Sequence, residues 1–358
     1  MKTRTVLILI TLLCAAMASV LSAYTATIVV TNTNDSGPGS LRNALASTND
    51  GDTIDATGVS GTILLTSGEL QINHHVTING PGAGNLAVNG NAASRVLENF
   101  ASNATISGFT ITNGSSLEGG GILNHGGLTI VYSTISENVA GYPDGGGGGI
   151  FADGATVISA STINNNWAVC TGGGIYASGA LTVVNSTISG NWTQGTQEWC
   201  PMGEGGGIFL DSGGTLTITN STISASGPYN QQGGGIRNLG GQVTIWDTVL
   251  TTVPWSGGGT IVNYGTFTSL GYNLASDNGG GVLTGPGDQI DTNPMLGPLQ
   301  NNGGPTFTQA LLPGSPAINA GNPIFITPPP PYDQRGPGFP RVVHGRIDIG
   351  SFEVQRRH

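Results

Sequence analysis

The chain is 358 residues long, with 61 glycines, 19 prolines, 8% charged and 6% aromatic residues, and a formal net charge of −10. So much glycine and so little charge exclude an ordinary helical or α/β domain, while a 37% hydrophobic fraction gathered in short Val, Ile and Thr runs fits a packed all-β core. Twenty acidic residues against ten basic ones exclude nucleic acid and anionic membrane as partners.

Met1-Lys-Thr-Arg4 is basic, Val6 to Ala16 is apolar, and small residues follow at Ala16-Met17-Ala18 and Ser22-Ala23. This is the architecture of a secretory signal peptide over residues 1–23. The run is shorter than the roughly 20 apolar residues that span a bilayer, and no later stretch does so. A mature chain without a transmembrane segment, secreted or held at the cell surface, is therefore expected. Cys14 follows Leu13, too bulky for the small residue that precedes a lipid-modified cysteine. Asn103, Asn113, Asn185, Asn191 and Asn220 head Asn-x-Ser/Thr sites, which matter only in a glycosylating host.

Residues 24–275 read as one solenoid, with an N-terminal cap over about residues 30–60. Ser40-Leu-Arg-Asn-Ala-Leu45 is its one helical turn, with Ser40 as N-cap. Ile63-Leu65, Leu70-Ile72, Val76-Ile78, Leu86-Val88, Val96-Leu97, Ile106 and Phe109-Ile111 predict early, irregular coils. From about residue 104 to 270 the coils become regular. Gly-Gly-Gly followed by Ile ends at Ile122, Ile150, Ile175, Ile208 and Ile236, with a degraded copy at Ile261. A second apolar strand ends at Ile130, Ile158, Val183, Ile218 and Ile245, and a third strand follows five residues on, at Ile135, Ile163, Ile188, Ile223 and Leu250. Three short strands cannot close a core alone. Stacked, each inward residue buries its counterparts above and below, and the object predicted is a single-stranded right-handed parallel β-helix.

The glycine triplets supply positive φ and close backbone approach at the corner entering the first strand. Asn138, Asn166 and Asn191 each lie three residues past the third-strand Ile and predict a stacked amide ladder at a bend. Trp167 and Trp192 lie one residue further and predict neighbouring aromatics, a candidate platform for sugar rings or a sealed corner. Cys170 and Cys200 sit in insertions on consecutive coils and are expected to form a disulfide.

Residues 276–358 lose the triplets and become rich in Asn, Gly and Pro, with an extended Pro328–Pro331 run. Arg335, Arg341, Arg346, Arg356 and Arg357 gather there. The segment predicts an irregular C-terminal cap whose arginines pair with nearby acids and whose Ile349 and Phe352 cover the last open coil. Docking onto an anionic envelope component is the other use of those arginines.

Asn34-Asp-Ser-Gly-Pro-Gly-Ser-Leu-Arg-Asn-Ala-Leu45 with Gly51-Asp-Thr-Ile54 resembles the N-terminal module of bacterial secreted β-helix proteins called CSLREA-domain proteins, with Gly39 where the name-giving cysteine would stand. Asn293-Pro-Met-Leu-Gly-Pro-Leu-Gln-Asn-Asn-Gly-Gly-Pro305, Leu312 to Gly321, Asp333-Gln-Arg-Gly336 and Asp348-Ile-Gly-Ser-Phe352 resemble the choice-of-anchor Q domain. The central repeats are similar to those of polymorphic outer-membrane passenger proteins, with Ile135-Ser-Glu-Asn138 lacking the Phe of that motif. The resemblance implies an exported, surface-associated β-helix and supplies no catalytic residues.

A uronate lyase needs a base and a cation or metal to stabilise the enolate, yet no Lys or Arg lies between Arg95 and Arg237 and no Asp-rich cluster offers a metal site. Hydrolysis by paired carboxylates is the alternative to a non-catalytic rod. Asp144, Glu198 and Glu204 lie in the insertions before glycine triplets, where acids two coils apart are separated by about 10 Å, just beyond the inverting range of roughly 6.5–9.5 Å. No His has a Ser or Cys partner at motif spacing, and His74-His75 lacks further ligands for a metal. Thr215-Leu-Thr217 and Thr217-Ile-Thr219 have a spacing that on a flat face orders water or ice, though position 217 corresponds to Thr129, Val157 and Thr182, which interrupts the row. The expectation is a secreted structural or adhesin-like rod that contacts glycans, needs no cofactor and does no catalysis.

Overall fold

The computed structural model describes residues 25–195, 200, 203–228, 233–252, 259–324 and 329–355. The signal peptide expected over 1–23 lies outside the described residues.

The chain winds into a parallel β-solenoid with three long sheets. The first has ten strands, from Thr27–Val29 to Thr266–Gly271; the third has eight, from Leu70–Ile72 to Ile261–Asn263. The second runs from Gly61–Leu64 and also takes in two-residue strands at Ser115–Ser116, Val139–Ala140, Trp167–Ala168 and Trp192–Thr193, which join it through Thr222–Pro228. Those short strands are a fourth element per coil, where the sequence predicted three. Register between coils is residue for residue: Ile122 pairs with Leu97 and Ile150, Ile130 with Ile106 and Ile158, and Ile135 with Ile111 and Ile163. These residues are buried in one continuous apolar core. Alternation in each strand sends every second residue inward, so a coil-to-coil slip of one residue would turn the core face outward.

The triplet glycines divide the work of the corner. The first of each has positive φ, for example 66° at Gly147 and 61° at Gly172. The second lies against the short strand of its own coil, where a Cβ on Gly148 would stand 2.3 Å from the carbonyl oxygen of Trp167. The third lies under the next coil's glycine, and a Cβ on Gly149 would meet the Gly174 carbonyl oxygen at 2.7 Å. No side chain fits the second or third position without moving backbone.

The asparagine ladder is present and buried. Asn138 donates from Nδ2 to Oδ1 of Asn166, and Asn166 to Oδ1 of Asn191, both at 2.9 Å. The same amides donate to the carbonyls of Ile111 and Ile135. Two ladders not read from the sequence accompany it. Asn99 donates to Asn124 and Asn238 to Asn263, both at 2.7 Å, at the ends of third-sheet strands. Ser161, Ser186 and Ser221 each accept, through Oγ, the backbone N–H of the serine one coil earlier.

The helix Leu41–Ala46 starts at Ser40, whose Oγ accepts the N–H of Asn43. Its Leu41, Ala44 and Leu45 are buried against the first coils, so this helix covers the N-terminal end of the core. The opposite end is closed by a single turn at Gly279–Gly281, after which Leu283 is buried in the main core and Val282 packs on it.

The C-terminal segment does not cover that end. It folds back along the rod on the outer face of the second sheet. Ile349 and Phe352 pack there with Leu311, Ala317, Val249 and Leu274, which corrects the expectation that they seal the last coil. The physical reason is alternation: Leu250 and Ala275 point into the core, so their neighbours Val249 and Leu274 offer an apolar strip outside. Gln334 clasps two coils, donating to Thr162 Oγ1 at 2.9 Å and accepting from Thr187 Oγ1 at 2.6 Å. Arg335 pairs with Asp333 at 2.6 Å between the rings of Phe339 and Phe352. Arg341 is wholly buried and donates to the carbonyls of Asp348 and Gly350, while Arg346 donates to those of Gly321 and Ala320. These three arginines hold the segment itself; Arg356 and Arg357 lie outside the described residues.

Candidate functional site

Strand alternation in the third sheet turns one residue per coil outward, the one directly after the repeat Ile. That row reads Glu98, Leu123, Phe151, Tyr176, Phe209 and Arg237 in unbroken register. The rings of Phe151 and Tyr176 stack with centroids 4.3 Å apart and planes 14° apart, and Tyr176 and Phe209 follow at 5.4 Å and 10°. Because the rings cover one another's faces, the stack presents their edges sideways as a stiff wall.

A second row runs beside it. Glu118, Gly146, Thr171 and Glu204, each immediately before a glycine triplet, are joined by successive parallel bridges. Between this row and the aromatic wall lies a groove of about 680 Å³, lined by Arg95, Glu118, Asp144, Phe151, Thr171 and Tyr176 among others. Arg95 ties its floor together: it pairs with Glu69 at 2.6 Å and Glu98 at 3.6 Å and donates to the Glu118 carbonyl and Ser116 Oγ. Burial, with the nearby Glu98 charge, pushes the Glu69 carboxyl above its ordinary range despite Arg95. Tyr176 donates its hydroxyl to Asp211, and burial together with that carboxylate holds the phenol protonated. Next to Glu98, whose carboxylate lies 3.5 Å from its Nε2, His125 stacks on Phe100 at 5.3 Å and bonds Asp153 at 2.8 Å.

The residues singled out in the sequence divide. Asp144 lines the groove. Glu204 stands two coils further along the bridged row, with its carboxylate 3.4 Å from Arg237, so it is paired rather than opposed to Asp144. Glu198 lies outside the described residues. Trp167 and Trp192 are register partners on adjacent short strands, Trp192 being 44% exposed and Trp167 half-buried, but neither lines the groove. Cys170 and Cys200 form a disulfide with Cα atoms 5.6 Å apart. His75, given no partner by its sequence neighbours, meets Ser102 across a coil through its ring Nε2, and its backbone N–H donates to Asp50.

Sequence reasoning missed Glu118, Arg95 and the aromatic row. The signal was there: the residues flanking each Gly-Gly-Gly-Ile form both walls, and the stacking of coils brings Arg95, 23 positions from Glu118, onto the same floor. Among the described residues no group of three or more His, Cys, Asp or Glu side chains is placed to hold a metal ion, and no helix is long and apolar enough to cross a membrane. Comparison with protein-family models, with curated proteins and with solved structures finds no match.

Proposed function

We propose that this chain is a secreted or cell-surface β-solenoid, structural and adhesive in role, that holds a glycan segment in the groove beside the third sheet. The observation that carries this is the pairing of an aromatic wall, Phe151 and Tyr176, with Arg95, Glu118, Asp144 and Thr171 in one open groove. Saccharides combine C–H faces that pack on aromatic carbon with hydroxyls that take charged hydrogen bonds, and this lining offers both. The likeness of the chain's two ends to CSLREA and choice-of-anchor Q modules supports export and surface attachment. A glycan array read with wild-type protein, Phe151→Ala and Asp144→Asn tests it. Binding that is lost in both variants while their circular dichroism is unchanged supports the proposal, and no binding by wild-type protein to any glycan overturns it.

One observation favours a second reading, a glycoside hydrolase: Glu118 and Asp144 are two carboxylates on the same groove, as acid and base or nucleophile require. A reducing-sugar assay on the bound glycan separates the two. Turnover abolished by both Glu118→Gln and Asp144→Asn establishes hydrolysis.

A further inference from the structure

The row of threonines on the first sheet is far longer than the sequence suggests. Thr27, Thr53, Thr77, Thr105, Thr129, Thr182, Thr217, Thr244 and Thr268 occupy one outward column through all ten strands, interrupted only by Val157. None of them is buried. None of their hydroxyls has a hydrogen bond within the described residues, in contrast to Thr162, Thr187 and Thr222, which the C-terminal segment engages. From Ala104 onward the ten-stranded sheet contains no Asp, Glu, Lys or Arg. Its outward residues beside the column include Ala155, Ser159, Ala180 and Thr215, which are small or β-branched, with Gln242 and Trp246 as larger, uncharged exceptions on one strand. The returning C-terminal segment binds the second sheet and leaves this face open.

We infer that this face binds ice. Parallel strands set successive threonines about 4.8 Å apart, and alternate residues along a strand stand about 6.6–6.8 Å apart. Oxygen rows on the surface of ice repeat at nearly the strand interval, so a column of hydroxyls without internal partners can each occupy a lattice position. The methyl beside each hydroxyl orders the adjoining water without offering it a competing hydrogen bond. A charged side chain would hold a hydration shell of its own geometry; from Ala104 onward the absence of charge removes that conflict, and Asp55, beside Thr53, confines the uncharged face to those later strands. In-register pairing over ten strands keeps the columns from slipping, because the inward Ile residues fix each coil. Crystalline polysaccharide is the other periodic surface a sheet can meet. It is bound by rows of exposed aromatic rings, and this face has only Trp246.

The test uses the full-length, disulfide-intact protein. Thermal hysteresis, inhibition of ice recrystallisation, and incorporation of fluorescently labelled protein into a growing ice hemisphere are measured for wild type, Thr129→Lys, Thr182→Lys, Thr182→Val and Val157→Thr. Ser212→Lys, on an exposed turn, is the control. Wild-type protein and Ser212→Lys are expected to enter the ice and halt recrystallisation, both lysine variants to lose this, and Val157→Thr to exceed wild type. Thr182→Val keeps the shape and strand propensity, so its loss of activity with an unchanged melting temperature assigns the effect to the hydroxyl even where a lysine variant fails to fold. Exclusion of wild-type protein from ice overturns the inference. So does full activity of well-folded Thr182→Lys, or retention on microcrystalline cellulose or chitin that Thr182→Lys abolishes without any effect on ice.

Discussion

Asn138 and Asn166 are joined twice: Nδ2 of Asn138 lies 2.9 Å from Oδ1 of Asn166, and the backbone N–H of Asn138 donates to the same oxygen at 3.1 Å. One side chain thus satisfies a buried bend in the coil before it, while its own amide reaches the carbonyl of Ile135 and the next rung, Asn191. Asn166→Ala leaves several buried polar groups without partners, at about 1–3 kcal/mol each. A destabilisation of about 3–5 kcal/mol is expected in urea unfolding, and Asn166→Asp should fare no better because it loses both donors. Less than about 1 kcal/mol for the alanine variant would show that the ladder contributes little.

Ala160 stands in a column of left-handed turn residues with Tyr132, Asn185, Asn220 and Asp247, at φ 47°. A Cβ in this conformation costs about 1–2 kcal/mol, and glycine does not incur it. Ala160→Gly is therefore expected to stabilise by roughly 0.5–1 kcal/mol after its greater freedom when unfolded is deducted. The melting temperature should rise; a fall would show that the buried methyl outweighs the strain.

The solenoid was legible because its period is carried by residues that do one job each: Ile122, Ile150 and Ile175 face the core, and the glycines before them tolerate no side chain. The groove was not, because its members recur at no fixed chemistry. Leu123, Phe151, Tyr176 and Arg237 share a position but not a residue type, and Arg95 joins Glu118 only through the stacking of coils. The placement of the C-terminal segment was hidden for another reason. Val249 and Leu274 look like ordinary strand residues, and only their outward direction shows that something apolar must cover them.

Cys170 and Cys200 are 30 residues apart, and their bridge closes a loop that includes one regular coil. Loop-closure entropy for this length corresponds to about 3–4 kcal/mol. The double variant Cys170→Ala, Cys200→Ala is expected to lose stability of that order, read as an earlier unfolding midpoint, with the asparagine ladder intact by hydrogen exchange. Equal midpoints for oxidised and reduced protein would refute this contribution.

Glu353 and Asp247 give the C-terminal segment a pH dependence. Burial raises the Glu353 carboxyl to about 8, with Arg341 opposing and Asp348 reinforcing the shift, and burial raises Asp247 to about 6 against the N–H of Asn322 and two arginines. Glu353 Oε1 has no hydrogen-bond partner, consistent with a group that is least costly when uncharged. The sign follows from proton binding: between the ordinary carboxylate range and pH 8 the folded state holds protons that the unfolded chain releases, so stability falls as pH rises. Unfolding free energy should therefore decline by a few kcal/mol from about pH 5 to 8. Glu353→Gln keeps an acceptor for the Asp348 N–H and should flatten most of that decline above pH 6. A slope unchanged in this variant would place the titration elsewhere.

Gly148 tests the physical basis of the repeat most directly, because it has ordinary negative φ and no conformational need to be glycine. Its requirement is space: an added Cβ would stand 2.3 Å from the Trp167 carbonyl oxygen and 2.4 Å from that of Gly173. Both obstacles are backbone and both belong to neighbouring strand pairings, so relief requires opening a coil rather than turning a side chain. Gly148→Ala is expected to cost more than the 1–3 kcal/mol usual for overpacking and to lower soluble yield. Gly213→Ala is the control, since nothing lies within 4 Å of its added Cβ and only its φ of 88° opposes the change. If Gly148→Ala is as stable as Gly213→Ala, close backbone approach is not what keeps glycine at the second triplet position.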